Sequence, residues 1–185
     1  MTYQDPGRAR PRNMRMLVLS LVLAFTAVGC VHASVPNADR RRDDAQRLEA
    51  VLPTLQSLRV EGFRSQDWCR FIDEPRGAFT NIRDVTSVCN VFTKPPQAFD
   101  DSASTDFETV KQALSDSGVS TMMVWNIEYD GAGQITAAQF DLNAGSFDRF
   151  SYLYSRDTPV ARDSFQAIVF EKINDHWWFL SDDFN

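Results

Sequence analysis

An α+β domain is the fold class this sequence predicts, on the strength of three patterns. Ala45, Leu48, Leu52 and Leu55 recur at the 3–4 spacing of an amphipathic helix. Thr105-Asp106-Phe107-Glu108 is a capping box, and Phe107, Val110 and Leu114 then share one helical face. After Val119 the chain turns to β-rich runs separated by short turn signals. Helices first and strands last favour helices gathered on one face of a curved antiparallel sheet of about five strands.

The elements follow in chain order. Arg40-Arg41-Arg42-Asp43-Asp44 reads as the exposed first turn or two of the leading helix, and Pro53 should kink it or divide it after Leu52. Residues 63–92 are the least periodic stretch. There Ser65-Gln66-Asp67 is placed to cap a helical turn carrying Trp68, Cys69 and Phe71. Pro75, Gly77 and Asn81 mark turns, Val85 to Phe92 reads as a strand or hairpin arm, and Lys94-Pro95-Pro96 ends the segment. The capped helix should run from Asp106 to Ser117, with Gly118 as its terminator.

Strands are expected over Val119–Tyr129, Ile135–Leu142, Phe147–Ser155, Phe165–Ile173 and His176–Leu180. Asp130-Gly131-Ala132-Gly133 is a hairpin signal, and Asn174-Asp175 favours a two-residue type I′ turn. Arg156 to Asp163 is a polar loop. Short turns between successive strands imply an antiparallel meander. The closing Phe-Gln-Ala-Ile-Val-Phe-Glu-Lys-Ile-Asn-Asp-His-Trp-Trp-Phe-Leu resembles the last hairpin of cystatin-like and NTF2-like domains. That resemblance covers the strand order after Asp106 and carries no catalytic motif, so it implies a shape and not a function.

The first residues follow different rules. Arg8, Arg10, Arg12 and Arg15 precede an apolar run from Met16 to Val28, and small residues stand before Cys30 in Ala27-Val28-Gly29-Cys30. Basic, apolar and small-residue regions in that order make a secretory signal. The 12 residues Leu17–Val28 are too few to cross a bilayer as a helix, which takes about 20. Ala-Val-Gly-Cys resembles the lipobox of bacterial lipoproteins, with Ala27 where leucine is commonest. The resemblance implies cleavage before Cys30 and a lipid thioether on its sulfur. An ordinary cleaved signal, or a signal anchor, is the alternative. The chain then divides into signal 1–29, lipidated cysteine and tether 30–39, and one globular domain 40–185. The protein is expected in the cell envelope, tethered to a membrane through Cys30. In a two-membrane cell the outer membrane is favoured, because Val31 lacks the aspartate associated with inner-membrane retention.

The first 29 residues hold four arginines and one aspartate, so their removal takes the formal charge from −6 to −9. From Asp100 onward fifteen carboxylates face five cations. Such acidity repels phosphate backbones, so nucleic acid is not an expected partner; a basic protein is steered toward it. Acidity also serves plain solubility. With Cys30 assigned to the anchor, Cys69 and Cys89 form an even pair in an oxidising compartment. Their disulfide would close a loop of about 20 residues and contribute roughly 3 kcal/mol. Neither Cys-x-x-Cys spacing nor a neighbouring histidine favours a redox or metal role.

Catalytic and cofactor motifs are missing from the sequence. The two histidines, His32 and His176, lack the company a zinc site wants. There is no Gly-x-Ser-x-Gly elbow or phosphate-cradling glycine loop, and Asp73-Glu74, Asp100-Asp101 and Asp182-Asp183 point to opposite faces if extended. No catalytic residue, metal or cofactor is expected. The aromatics concentrate in the strands, and the outward ones, Trp177 or Trp178 with Tyr152 and Tyr154, are the candidate binding surface. The function these features favour is a non-enzymatic protein-binding module, of the immunity or inhibitor kind, against a secreted toxin or cell-wall hydrolase. An accessory subunit of an envelope assembly is a variant of that reading. The rival is an apolar-ligand carrier of NTF2-like shape, with a cavity lined by Trp125, Phe150 and Tyr152.

Overall fold

The computed structural model describes residues 35–81, 94–142, 150–159 and 167–183. The chain enters as one bent helix. Asn37 caps it by accepting the Arg40 amide at 2.9 Å, and α1 runs Ala38–Glu49. After a break at Ala50 and Val51, α2 spans Leu52–Leu58. The division expected after Leu52 therefore falls after Glu49. Pro53 has no amide to offer the Glu49 carbonyl, and its ring crowds that same carbonyl, so the helix stops one turn before the proline. It restarts with Pro53 in its first turn, where no amide is needed. Ala45, Leu48 and Leu55 are buried, as their spacing predicts.

Three short strands occupy the stretch that lacked a period. β1 (Gly62–Gln66), β2 (Cys69–Glu74) and β3 (Gly77–Thr80) form an antiparallel meander. The helical turn expected at Ser65–Phe71 is instead the tip of the β1–β2 hairpin, with Asp67 and Trp68 in the turn. In β2, Cys69 and every residue from Phe71 to Glu74 are buried. A strand covered on both faces shows no alternation, which is why its pattern was unreadable. β4 (Pro96–Ala98) pairs parallel to β3 at the sheet edge. Lys94 pins its approach by donating to Glu61 at 2.7 Å, Asp73 at 3.0 Å and the Glu74 carbonyl at 2.7 Å. Segment Val85 to Phe92 lies outside the described residues.

Helix α3 runs Asp101–Ser117. Its cap is Asp100, which accepts the Ala103 amide at 2.6 Å, and not Thr105. Thr105 lies inside the helix and bonds back to the Asp101 carbonyl at 2.9 Å. Two successive aspartates at the start favour the positive helix end, and they carry the helix one turn further back than the capping box did. Phe107, Val110 and Leu114 are buried together, and Gly118 ends the helix at φ 67°, both as expected.

The remaining strands are β5 (Thr121–Tyr129), β6 (Ile135–Leu142), β7 (Phe150–Ser155), β8 (Ala167–Lys172) and β9 (Trp177–Asp183). All join one nine-stranded sheet in the order β4-β3-β2-β1-β5-β6-β7-β9-β8. The α+β class holds, with nearly twice the strands expected. The meander also fails at its end: β7 pairs with β9, and β8 lies beyond it as an edge. The polar connection after Ser155 is long enough for that step across. At the β8–β9 turn neither Asn174 nor Asp175 takes the positive φ a type I′ turn requires. The turn is wider, with Asn174 Oδ1 accepting the amides of His176 and Trp177 at 2.9 Å each.

One register row organises the core. Phe79, Ile72, Phe63, Val124, Phe140, Tyr152 and Phe179 stand on adjacent strands, each opposite the next. All are at most 4% exposed. Ala45 and Leu48 of α1, Leu55 of α2, and Ala103, Phe107 and Val110 of α3 pack against this row in one cluster. The described helices therefore cover a single face, called inner below. No helix among the described residues is long and apolar enough to cross a membrane, and Leu17–Val28 lies outside them.

Candidate functional site

Alternation along each strand sends the next residues to the opposite, outer face. Two register rows meet there. One holds Arg64, Met123, Asp141, Ser151, Leu180 and Phe170; the other holds Trp125, Gln139, Leu153, Trp178 and Lys172. The tryptophans thus bracket Gln139 and Leu153 across three strand spacings, about 14 Å.

Polar side chains between them form a network. Ser151 Oγ donates to Asp141 Oδ1 at 2.7 Å, and Gln139 Nε2 donates to the same oxygen at 3.0 Å. Asn126 Nδ2 donates to Gln139 Oε1 at 3.2 Å. Asn126 sits in a β-bulge of β5 with φ 49°, a left-handed conformation that asparagine tolerates better than most residues. Bulges re-aim side chains and are over-represented beside functional sites. At the end of the other row, Arg64 donates through Nε to Gln66 at 2.8 Å and lies 4.4 Å from the centre of the Trp68 ring. Burial lowers the Arg64 pKa, with nearby Asp141 opposing it. Trp68, at the hairpin tip, is 54% exposed.

Two indole groups flank this network. Among the described residues the Nε1 atoms of Trp125 and Trp178 are buried without a hydrogen-bond acceptor, as is that of Trp177 on the inner face. A buried donor left unpaired costs about 1–3 kcal/mol. The network as a whole offers donors, acceptors and ring faces. Ser151 is 6% exposed and has the Asp141 carboxylate as its acceptor.

The expected binding residues separate. Tyr152 is 0% and Trp177 1% exposed, both on the inner face, so neither can present a docking surface. Tyr152 donates instead to the buried Asp44 carboxylate at 2.9 Å, and burial, followed by that bond, raises its own pKa. Trp177 packs against Phe140, with ring centres 5.7 Å apart. Tyr154 is half-buried on the same inner face, edge-on to Trp177 at 5.5 Å. Only Trp178 of the four stands on the outer face. The alternation of β7 was legible, but which side met the helices was not. The carrier cavity suffers likewise: Phe150 and Tyr152 face inward and Trp125 outward. Trp125, Gln139, Asp141, Ser151 and Arg64 were not recognised as a unit. The i, i+2 spacing of Gln139 and Asp141 in a strand was the available signal.

Cys69 is wholly buried at the start of β2. Its expected partner Cys89 lies outside the described residues, as does the lipidation candidate Cys30. Among the described residues no three histidine, cysteine or carboxylate groups converge as a metal site would require. His176 stands 6.1 Å from the Tyr154 ring. No protein-family model matches the chain, and neither a curated protein nor a solved structure is detectably similar to it.

Proposed function

We propose that the chain is a cell-envelope lipoprotein, anchored through Cys30, whose domain binds another protein and performs no chemistry. The outer-face row Trp125–Gln139–Leu153–Trp178 is the observation that carries this reading. It joins two indoles to a hydrogen-bonding network, and tryptophan is enriched in interface hot spots. Arg64 stacked on the exposed Trp68 extends the same face. Within this class an immunity or inhibitor lipoprotein suits a domain whose charge steers a basic secreted toxin or hydrolase toward it.

Two experiments test the reading. Metabolic labelling with palmitate should mark the wild-type chain and spare Cys30→Ala; equal labelling removes the anchor. Separately, the chain from Val31 onward is immobilised and exposed to envelope and secreted extracts. A basic protein should be retained at low salt and lost as salt rises, and Trp125→Ala/Trp178→Ala should retain at least tenfold less. Equal retention by that double variant, folded by circular dichroism, moves the partner site off this face.

A further inference from the structure

We propose that β8 is a dimerisation edge, pairing antiparallel with β8 of a second copy of this chain across a two-fold axis at Phe170. Its hydrogen-bond parity is fixed by its neighbour. The Ile173 amide donates to the Trp177 carbonyl at 2.9 Å, so residues 171 and 169, at steps of two, also exchange bonds with β9. The backbone groups of Ile168, Phe170 and Lys172 consequently point away from the sheet. No strand among the described residues takes them up, since β8 ends the sheet order.

The two edges of the sheet are treated differently. β4 is three residues long, begins with Pro96 and runs parallel to its neighbour, all of which blunt it. β8 is six residues with an apolar run, Ala167-Ile168-Val169-Phe170, and Val169 is 51% exposed. Its charges do not guard it. Glu171 is engaged by Arg41 of α1, and Lys172 reaches Asp175 at 3.4 Å and lies 5.9 Å from the Trp178 ring centre.

A second copy is the occupant that the edge fits. Only even registers join outward groups to outward groups, and one of them uses all three residues. It sets Phe170 opposite its own mate and Ile168 opposite Lys172, with Val169 opposite Glu171. Each charge then faces an apolar residue, and the aromatic pair sits at the axis, a favourable cross-strand pairing. A one-step shift toward Lys172 places Glu171 opposite Glu171, which charge opposes, and a shift the other way leaves the outward groups of Lys172 unpaired. The contact is isologous and closes on itself, so it stops at two copies.

Sedimentation velocity on the chain from Val31 onward, which contains every described element, tests this. A concentration-dependent monomer–dimer equilibrium is expected. Both copies carry the same acidic charge, so the dimer should tighten several-fold as salt rises from ~0.05 to ~0.5 M, opposite to capture of a basic protein. Phe170→Pro deletes one outward amide while leaving the β9 bonds, and should weaken the dimer at least tenfold. Phe170→Lys, which sets like charges face to face at the axis, should do the same while keeping the backbone donor. A wild-type chain that stays monomeric at every concentration overturns the proposal. So does a dimer that both variants, shown folded by their melting curves, leave unchanged.

Discussion

The inner and outer faces of the sheet share one backbone and differ in what fills them. On the inner face, a mainly aromatic row from Phe79 to Phe179 packs under three helices, and the buried Asp44 carboxylate is answered by the Tyr152 hydroxyl. On the outer face, polar side chains bond mainly to one another across neighbouring strands. The lesson is that one strand pattern serves two ends. Unpaired indole donors occur on both sides among the described residues, Trp177 Nε1 under the helices and the Nε1 atoms of Trp125 and Trp178 opposite, so the faces differ in what fills them: packed apolar groups within, a side-chain hydrogen-bond network without.

Breaking the inner face should cost most. Trp177→Ala removes a wholly buried ring from between Phe140 and Tyr154 and should destabilise the domain by about 3–5 kcal/mol, read by urea melts. Smaller damage would place Trp177 outside the core.

The outer side of β2 offers a charge test. Asp73 is 3% exposed and accepts from Lys94. Lys94→Met should cost about 2 kcal/mol, less than for a fully buried pair because Lys94 is partly in water. Burial alone would lower the Lys94 pKa, but Glu61 and Asp73 outweigh it and the net shift is upward. A raised lysine stabilises fully below its ordinary value of 10.5, and that contribution is lost as pH rises through the folded value. Melting temperatures of wild type and Lys94→Met should therefore converge above pH 10.5. A gap that stays constant through that range assigns the stability to packing.

The smallest effect belongs to the recognition row. Gln139→Ala should change stability by about 1 kcal/mol, while weakening capture of the proposed basic partner far more than that cost suggests. Loss of capture only in step with loss of fold would return the row to structure.

Much of the architecture was legible from residue spacing. The leading helix, the face of α3, Gly118 as its terminator, and the strands from Thr121 to Leu142 follow from local periods and turn residues. Legibility failed where both faces of a strand are covered, as in β2, and where two caps compete, as Asp100 does with Thr105. The site was half legible. Trp178 belonged to the aromatic surface read from the strands, but Tyr152 and Trp177 alternate with their neighbours equally well in either orientation.

By itself, then, the sequence determined which residues share a side, where the helices end, the acidity, and the basic–apolar–small order before Cys30. These are properties of a few consecutive residues, set by backbone geometry and side-chain chemistry. Only the tertiary structure decided which side meets the helices, that β9 slips between β7 and β8, and that Arg64, Trp125, Asp141, Ser151 and Trp178 share a face. Those choices depend on packing between segments far apart in the chain, and no local period records them.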